Sequence, residues 1–292
     1  MTFARQNPLL VVGAAMVAAL LLVAAFYDLV SPYGLEQMNM RNRFALPDLE
    51  HWLGTDNFGR DLATRLAAGA RVSIVISIGT VLISALVGTA LGLIAGYHGG
   101  YVDMVLMRIV DVFMAFPAFV LALAIIAVLG PGTFNLILSL AAIYWTQYAR
   151  VARAMTLSER ERDYAVAARG LGASATRIMV RHILPNIMGP LIVLATFGMG
   201  TAIVAESGMS FLGLGVQPPT PTWGWTLAYG LKYLRADPWM STAAGLSLMF
   251  AVLAFNLLGD GIRDWLDPNR VTKTALKRKP ARKRTAPAGS AG

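Results

Sequence analysis

Few residues in this 292-residue chain could do chemistry, and their spacing argues against an enzyme. The run Gly-Met-Ser-Phe at 208–211 is close to the Gly-x-Ser-Gly nucleophile of intramembrane proteases, but it lacks the closing glycine. His51, His98 and His182 all fall in predicted loops, so none is available inside the membrane as a base or a metal ligand. The phosphate-binding pattern Gly-x4-Gly-Lys-Ser/Thr does not occur. We therefore predict a non-catalytic chain without cofactor or metal.

Two acidic residues lie in or near the predicted spans, where ionisable groups are functional candidates by default. Asp111 comes three residues after Arg108, which favours an ion pair along one helix face near the inner interface. Glu206 lies at the outer end of the fifth predicted span, where the ammonium group of a peptide could pass. Both acids are kept as candidate residues of a translocation pathway.

The composition places these groups in a membrane. The chain is 56% hydrophobic and 14% charged, whereas soluble domains carry about 25% charged residues. Several apolar runs approach the ~20 residues that a spanning helix needs. So apolar a chain excludes nucleic acid as the first interpretation of its net charge of +9. The absence of cysteine excludes disulfides and thiolate metal sites.

The apolar runs predict an all-α integral membrane protein with six transmembrane helices, separated by outer loops at 31–71 and 207–238 and by an inner loop at 154–187. A short N-terminus, 1–8, and a basic tail at 271–292, predicted to be disordered, flank the 9–270 domain. A cleaved signal peptide is the alternative for the first run, which is long for a signal core. The predicted spans are 9–30, 72–97, 105–129, 134–152, 188–206 and 239–259.

Several residues predict how these spans bend and pack. Gly88, Gly92 and Gly96 fall at a spacing of four and form a ridge of small residues for close helix packing. Pro117 predicts a kink in the third span. In the first outer loop, Asp56, Arg60 and Asp61 are predicted to lock the chain by salt bridges. The segment 206–238 is predicted to fold back between spans, to supply tryptophans to an interfacial belt, or to do both.

The charge distribution orients the bundle. Six spans put both termini on one side, and most of the 25 Lys and Arg residues then fall on that side. By the positive-inside rule both termini are cytoplasmic, as is the basic stretch around 163–185. The basic tail is expected to touch anionic membrane lipid. A compact polar element on the cytoplasmic face predicts a docking site for a partner.

The basic stretch itself predicts two short helices joined by glycines. Good helix formers occupy Glu159–Arg169, and Gly170 and Gly172 are expected to end that helix. Ser174 can cap a second helix reaching Ile183, which Pro185 is expected to stop before the fifth span begins. The first helix carries a narrow apolar stripe of Tyr164, Ala168 and Leu171.

This stretch resembles the signature of permease subunits of bacterial ABC importers: Glu-Ala-Ala, three residues, Gly, nine residues, Ile, one residue, Leu-Pro. Ala167-Ala168, Gly172 and Leu184-Pro185 match it, while Val166 replaces the Glu and His182 the Ile. The amino-acid sequence around these matched residues resembles that of the dipeptide/oligopeptide/nickel branch of the family. Three further stretches are similar to the second, C-type permease of that branch, at 51–61, 206–224 and 256–268.

The resemblance implies the type I permease fold of ABC importers and a place in the bacterial inner membrane. It implies a heterodimer with a second permease, two ATPase subunits that hydrolyse ATP, and an extracytoplasmic binding protein that delivers di- or oligopeptides. The stretch 163–185 would be the coupling helix that docks on an ATPase. The residues carried over to that contact are Tyr164, Ala167, Ala168, Gly172, His182, Leu184 and Pro185, with Leu171 beside them.

Three alternatives stay open. A nickel or a glutathione importer of the same branch would use the same type of permease. A secondary transporter or channel without ATPases would show paired broken helices in an inverted repeat, which the sequence does not display. A membrane scaffold without transport activity is the third class.

Overall fold

The computed structural model describes residues 7–266, all of whose longer elements are helices. Residues 1–6 with Arg5, and 267–292 with the predicted tail, lie outside the described residues. Within 7–266 no β-strand occurs, which confirms the predicted all-α class; one isolated bridge joins Thr55 to Asp61. The helices are α1 (Pro8–Val30), α2 (Leu62–His98), α3 (Gly100–Ala115), α4 (Ala118–Leu129), α5 (Thr133–Glu159), α6 (Asp163–Gly170), α7 (Ala175–Phe211), α8 (Trp223–Lys232) and α9 (Pro238–Leu266), with a 3₁₀ turn at Met40–Asn42.

Four of the described helices, α1, α2, α7 and α9, are long and apolar enough to cross a membrane. The pair α3 and α4 passes the same test only together, which gives five spans if the pair counts as one. The predicted span 134–152 coincides with α5, a helix of 27 residues in which Gln147, Arg150 and Arg153 interrupt the apolar sequence. The structure supports four to five apolar spans, and six remains a prediction.

The N-terminus of α2 lies at Leu62, not at the predicted Val72. The Asp61 carboxylate caps it, accepting hydrogen bonds from the Thr64 N–H at 2.8 Å and the Thr64 hydroxyl at 2.6 Å. Leu62 and Leu66 are buried against other helices, so tertiary packing recruits a segment that the apolar run does not reach. The helix has 37 residues, about 55 Å at 1.5 Å per residue, which exceeds a bilayer core of ~30 Å.

The third predicted span is broken. Pro117 was expected to kink one helix, but α3 and α4 meet at 90°. Phe116 takes extended backbone angles of φ −91° and ψ 142°, because the proline ring excludes the helical region for the residue before it. Pro117 also supplies no N–H to an α3 carbonyl. The result is an irregular backbone corner inside an apolar stretch.

The glycine ridge of α2 packs directly on α5, as predicted. A Cβ on Gly88 would lie 2.2 Å from the Trp145 carbonyl oxygen, and one on Gly92 would lie 2.4 Å from the Ala149 carbonyl oxygen. Side chains at these positions would force the two helices apart. The absence of side chains at these glycines therefore permits the close approach of α2 and α5.

Pro185 does not stop a helix, so that prediction is wrong. The chain is helical without interruption from Ala175 to Phe211. The six residues Ile178–Ile183 are π-helical, and the Leu184 N–H donates to the Met179 carbonyl, five residues back. This wider turn accommodates the N–H that proline lacks. The polar stretch and the fifth span are therefore one continuous rod.

Residues 31–61, which we call the outer cap, fold around buried charges. The Asp56 carboxylate accepts from Arg60 Nε at 2.7 Å and faces Arg65 Nε at 3.4 Å, and all three side chains are buried. The predicted Asp56–Arg60 salt bridge is thus present. Asp61 has a different role, since it contacts His51 Nδ1 at 2.9 Å and caps α2. Removing one partner of a buried ion pair of this kind would leave a buried charge without a counter-charge.

The segment 206–238 folds back into the bundle, as predicted. Its helix α8 packs against α7, α9 and α2. Trp223 is buried, and its Nε1 donates to the Leu66 carbonyl at 2.8 Å. Trp239 Nε1 donates to Leu53 O at 2.9 Å and ties α9 to the outer cap. Trp223 is therefore a packing residue and not part of an interfacial belt.

Candidate coupling surface and polar sites of the bundle

Residues 163–174, which we call the coupling turn, have a defined backbone. The helix α6 ends at Gly170, and the Gly172 N–H donates to the Arg169 carbonyl at 3.0 Å with φ at +80°. The Ala173 N–H donates to the Ala168 carbonyl at 3.0 Å. A left-handed residue after a helix favours glycine because it has no Cβ. The turn then enters α7 through the predicted cap, Ser174, whose Oγ accepts from the Arg177 N–H at 3.4 Å.

One face of α6 packs on its own chain. Ala165 is fully buried, and Tyr164 and Ala168 are half-buried against a cluster that includes Ile178 and Ile183 of α7. The Tyr164 hydroxyl donates to Glu159 Oε2 at 2.6 Å. Burial, and then this hydrogen bond to a carboxylate, raises the pKa of Tyr164 to about 12. Tyr164 is therefore an internal anchor of the turn.

The opposite face of the coupling turn is exposed. Leu171 is 89% exposed and Val166 is 49% exposed, with Ala167, Gly170 and Gly172 exposed between them. The predicted stripe of Tyr164, Ala168 and Leu171 does not form one buried surface, because Leu171 lies beyond the helix end and is exposed, whereas the first two are partly buried. Sequence reasoning also overlooked Val166, which was noted only as a departure from the signature.

The structure divides the predicted coupling residues into two groups. Ala167, Gly172 and Pro185 are exposed. The other four are partly buried against their own chain: Tyr164, Ala168, His182 and Leu184. A partner that docks here reaches the first group, together with Leu171 and Val166, before it reaches the second.

Arg160 ties the coupling turn to the end of α2. Its Nη1 donates to the carbonyl oxygens of Gly96 at 2.8 Å and Tyr97 at 3.2 Å. A cation at a helix C-terminus satisfies carbonyls that have no partner within the helix. The Arg169 guanidinium also lies 5.8 Å from the centre of the Tyr97 ring. No sequence motif indicated these contacts, since the residues are more than 60 positions apart.

The predicted partner of Asp111 is wrong. Asp111 pairs with Arg150 of α5 at 2.8 Å, and not with Arg108 on its own helix. A second ion pair, between Asp103 and Arg153, joins the same two helices, with Nη2 and Oδ2 at 2.6 Å. Packing of α3 on α5 brings these arginines closer than the helix-face neighbour. Asp111 is half-exposed, and its role in a pathway stays a prediction.

Glu206 is enclosed by hydroxyl groups. The helix α7 continues to Phe211, so Glu206 lies inside the helix and not at its outer end. Its carboxylate is fully buried and accepts from Ser73 Oγ at 2.8 Å, Ser210 Oγ at 2.8 Å and Ser207 Oγ at 3.2 Å. Within residues 7–266 it forms no ion pair. This site joins α2 to α7, and a pathway role remains a prediction.

The architecture defines a class. The described residues form apolar helices long enough to cross a membrane, joined by short polar segments. This is the arrangement of a helical, multi-pass membrane protein. The profile of the binding-protein-dependent transport system inner membrane components matches residues 88–272, and that of the N-terminal transmembrane domain of oligopeptide transport permease C matches residues 4–47. The chain belongs to this family of ABC importer permeases.

Named relatives agree with the family. The dipeptide transport system permease protein DppC of Alkalihalophilus pseudofirmus is 42% identical over 90% of this chain and 87% of that protein. The nickel transport system permease protein NikC of Escherichia coli is 39% identical over 89% of this chain and 94% of that protein. A solved inward-facing methionine ABC transporter, MetNI, shares the fold at a TM-score of 0.57, with 18% identity, covering 70% of this chain and 96% of the matched one.

Proposed function

We propose that the chain forms half of the translocation pathway for di- or oligopeptides delivered by an extracytoplasmic binding protein. The other half is a second permease, and two ATPase subunits drive the cycle. The family membership and the similarity to a dipeptide permease support this assignment. Both termini and the coupling turn lie in the cytoplasm, since the basic residues concentrate on that side.

The observation that carries the coupling mechanism is the exposed apolar tip of the coupling turn. Its exposed side chains are those of Leu171, Val166 and Ala167. The backbone that carries them is fixed to the rest of the chain by the hydrogen bonds of Arg160 and Tyr164. A cleft on an ATPase gains apolar contact from this tip and excludes water from it. Arg177 and Arg169 near the tip provide charge that complements acidic residues on such a partner.

Motion at the tip reaches the membrane through α7. The helix runs from Ala175 to Phe211 without a break, so a displacement of its inner end moves its outer end as well. The π-helical turn at Ile178–Ile183 lies where the docked element meets the span. We therefore expect ATP-driven closure of the ATPases to move α7 as a rigid body against the second permease.

The decisive experiment changes the tip without disturbing the turn. Leu171→Asp places a charge in the proposed apolar contact, and we expect about a tenfold or greater loss of co-purified ATPase and of peptide uptake in proteoliposomes. Leu49→Asp is the control, because Leu49 is 97% exposed in the outer cap. Full uptake by Leu171→Asp at normal expression would contradict the assignment.

Two observations bear on the alternatives. The similarity to a nickel permease keeps nickel chelates as a second substrate class, and the similarity to a glutathione permease keeps glutathione as a third. Uptake of labelled dipeptide, nickel and glutathione by one reconstituted complex separates the three. Purification of the tagged chain without any ATPase subunit would favour a transporter that works without ATP.

A further inference from the structure

A groove of about 470 Å³ lies between α4, α5, α7 and α9, and its lining includes neither Glu206 nor any residue of the coupling turn. Its walls are mostly apolar, with Phe119 at one side and Val204 at the other. Three polar side chains open into it, from three different helices: Tyr144 of α5, Thr201 of α7 and Asn256 of α9. Each lies in the interior of its helix, so the groove is at membrane depth.

Two of these polar groups have no partner. The Tyr144 hydroxyl and the Asn256 carboxamide form no hydrogen bond with any residue in 7–266. The Thr201 hydroxyl donates to the Phe197 carbonyl at 3.2 Å, which leaves its acceptor lone pairs unused. In hydrocarbon, an unpaired hydroxyl or amide costs several kcal/mol. These side chains therefore need a polar ligand, water or another chain in the groove.

The groove is shaped for contact with a ligand. The Asn256 side chain lies over Gly200, where a Cβ would come 3.5 Å from Oδ1. Phe119 lies over Gly208, where a Cβ would come 3.3 Å from its ring. Two glycines on one α7 face thus make room for a side chain from each neighbouring helix, and they bring the α7 backbone close to the groove.

The broken span next to the groove supports an aqueous environment. Phe119 lies in the first turn of α4, just after the 90° corner at Pro117. Irregular backbone at membrane depth is tolerated where protein buries it or where it lines a water-filled cavity. Phe116, at the corner, is 55% exposed on this chain. The corner and the groove are joined through Phe119, which lies two residues after Pro117 and lines the groove.

Resting on the proposed function, we infer that this groove binds the main chain of the transported peptide. The Asn256 carboxamide offers both a donor and an acceptor, and the two hydroxyls add further pairs, so the set complements peptide N–H and C=O groups. None of the residues that line the groove carries a charge. A neutral lining does not discriminate between charged side chains of different peptides, because its polar atoms hydrogen-bond to the main-chain N–H and C=O groups that every peptide has.

The first test removes the polar atoms and keeps the shapes. In the assembled complex, we expect Tyr144→Phe combined with Asn256→Leu to lower peptide uptake about three- to tenfold, the effect of one to two hydrogen bonds. Binding-protein-stimulated ATPase activity and the co-purified second permease should stay at wild-type levels. Tyr148→Phe is the matched control, since Tyr148 lies one turn away on α5 with a buried, unpaired hydroxyl outside the groove.

The outcomes separate the inference from the function on which it rests. Wild-type uptake by the double variant overturns the inference that the groove binds peptide and leaves the proposed function intact. Loss of the second permease from the double variant also overturns this inference, because the groove would then be a contact surface between subunits. A wild-type complex that takes up no peptide overturns the proposed function and the groove together.

The second test measures water in the groove. The chain contains no cysteine, so Thr201→Cys is a single reporter on it. We expect a membrane-impermeant thiol reagent to label Thr201→Cys, and peptide added during turnover to slow the labelling. Leu86→Cys is the control, because Leu86 is 65% exposed within the apolar helix α2 and lies outside the groove, and it should stay unlabelled. Equal labelling of the two variants, or labelling that peptide leaves unchanged, contradicts the inference.

Discussion

The outer cap and the coupling turn are both short polar segments between long helices, yet they are held in different ways. The outer cap surrounds a buried carboxylate, Asp56, with two buried arginines. The ion pairs just before the coupling turn each leave one partner exposed: Arg162 is 62% exposed against 14% for Glu159, and Glu161 is 65% exposed against 25% for Arg160. An ion pair open to water contributes little to stability, whereas removing one partner of a buried pair leaves an uncompensated charge. The cap therefore depends on its buried ion pair, whereas the turn is held by backbone hydrogen bonds and by the hydrogen bonds of Tyr164 and Arg160.

The largest expected effect tests the buried pair. Asp56→Ala leaves Arg60 and Arg65 buried without a counter-charge, and we expect a loss of about 3–5 kcal/mol in stability. The measurement is the yield and the thermal unfolding midpoint of the complex in detergent. Glu161→Ala removes the ion-pair partner of Arg160, just before the coupling turn, and should change the midpoint very little. Similar losses of stability from both variants would contradict the proposed difference between the outer cap and the coupling turn.

The second prediction concerns the backbone of the coupling turn. Gly172→Val introduces a branched side chain at φ +80°, where no neighbour obstructs it but the backbone is strained. We expect uptake to fall about tenfold while the chain remains in the membrane. Gly170→Val is the control, because Gly170 is equally open without a positive φ. Equal uptake by the two variants would show that the left-handed turn is dispensable.

A smaller effect is expected where the outer cap meets α9. Trp239→Phe removes the hydrogen bond from Nε1 to the Leu53 carbonyl, and we expect about 1 kcal/mol of destabilisation. Thermal unfolding followed by tryptophan fluorescence measures it. Trp52→Phe is the comparison, because that indole is 64% exposed. A larger loss from Trp52→Phe would contradict the view that α9 anchors the cap.

The smallest effect concerns pH. The pKa of Tyr164 lies at about 12 in the folded protein against 10.0 for an ordinary tyrosine. The protonated form is favoured by folding, so its contribution is complete below pH 10 and is lost as the pH rises from 10 to 12. Absorbance titration of the tyrosinate in wild type and Tyr164→Phe should show one high-pH step missing in the variant. A missing step near pH 10, instead of at high pH, would place Tyr164 in water.

Sequence reasoning succeeded where the cause is local. Ser174 caps α7, Gly172 takes the left-handed turn, and the ridge at Gly88 and Gly92 packs on α5, because each depends on residue type and helical spacing. It failed where the cause lies in another helix. The partner of Asp111 comes from α5, and Arg160 donates to the carbonyl of Gly96 at the end of α2.

The sequence by itself determined the all-helical membrane class, the resemblance to importer permeases and the composition of the coupling turn. Apolar run length, glycine spacing and a signature peptide are properties of neighbouring residues, so they can be read in one dimension. Only the tertiary structure decided which polar groups meet. Tyr144, Thr201 and Asn256 are far apart in the chain and share no motif, and the packing of α5, α7 and α9 brings them to one groove.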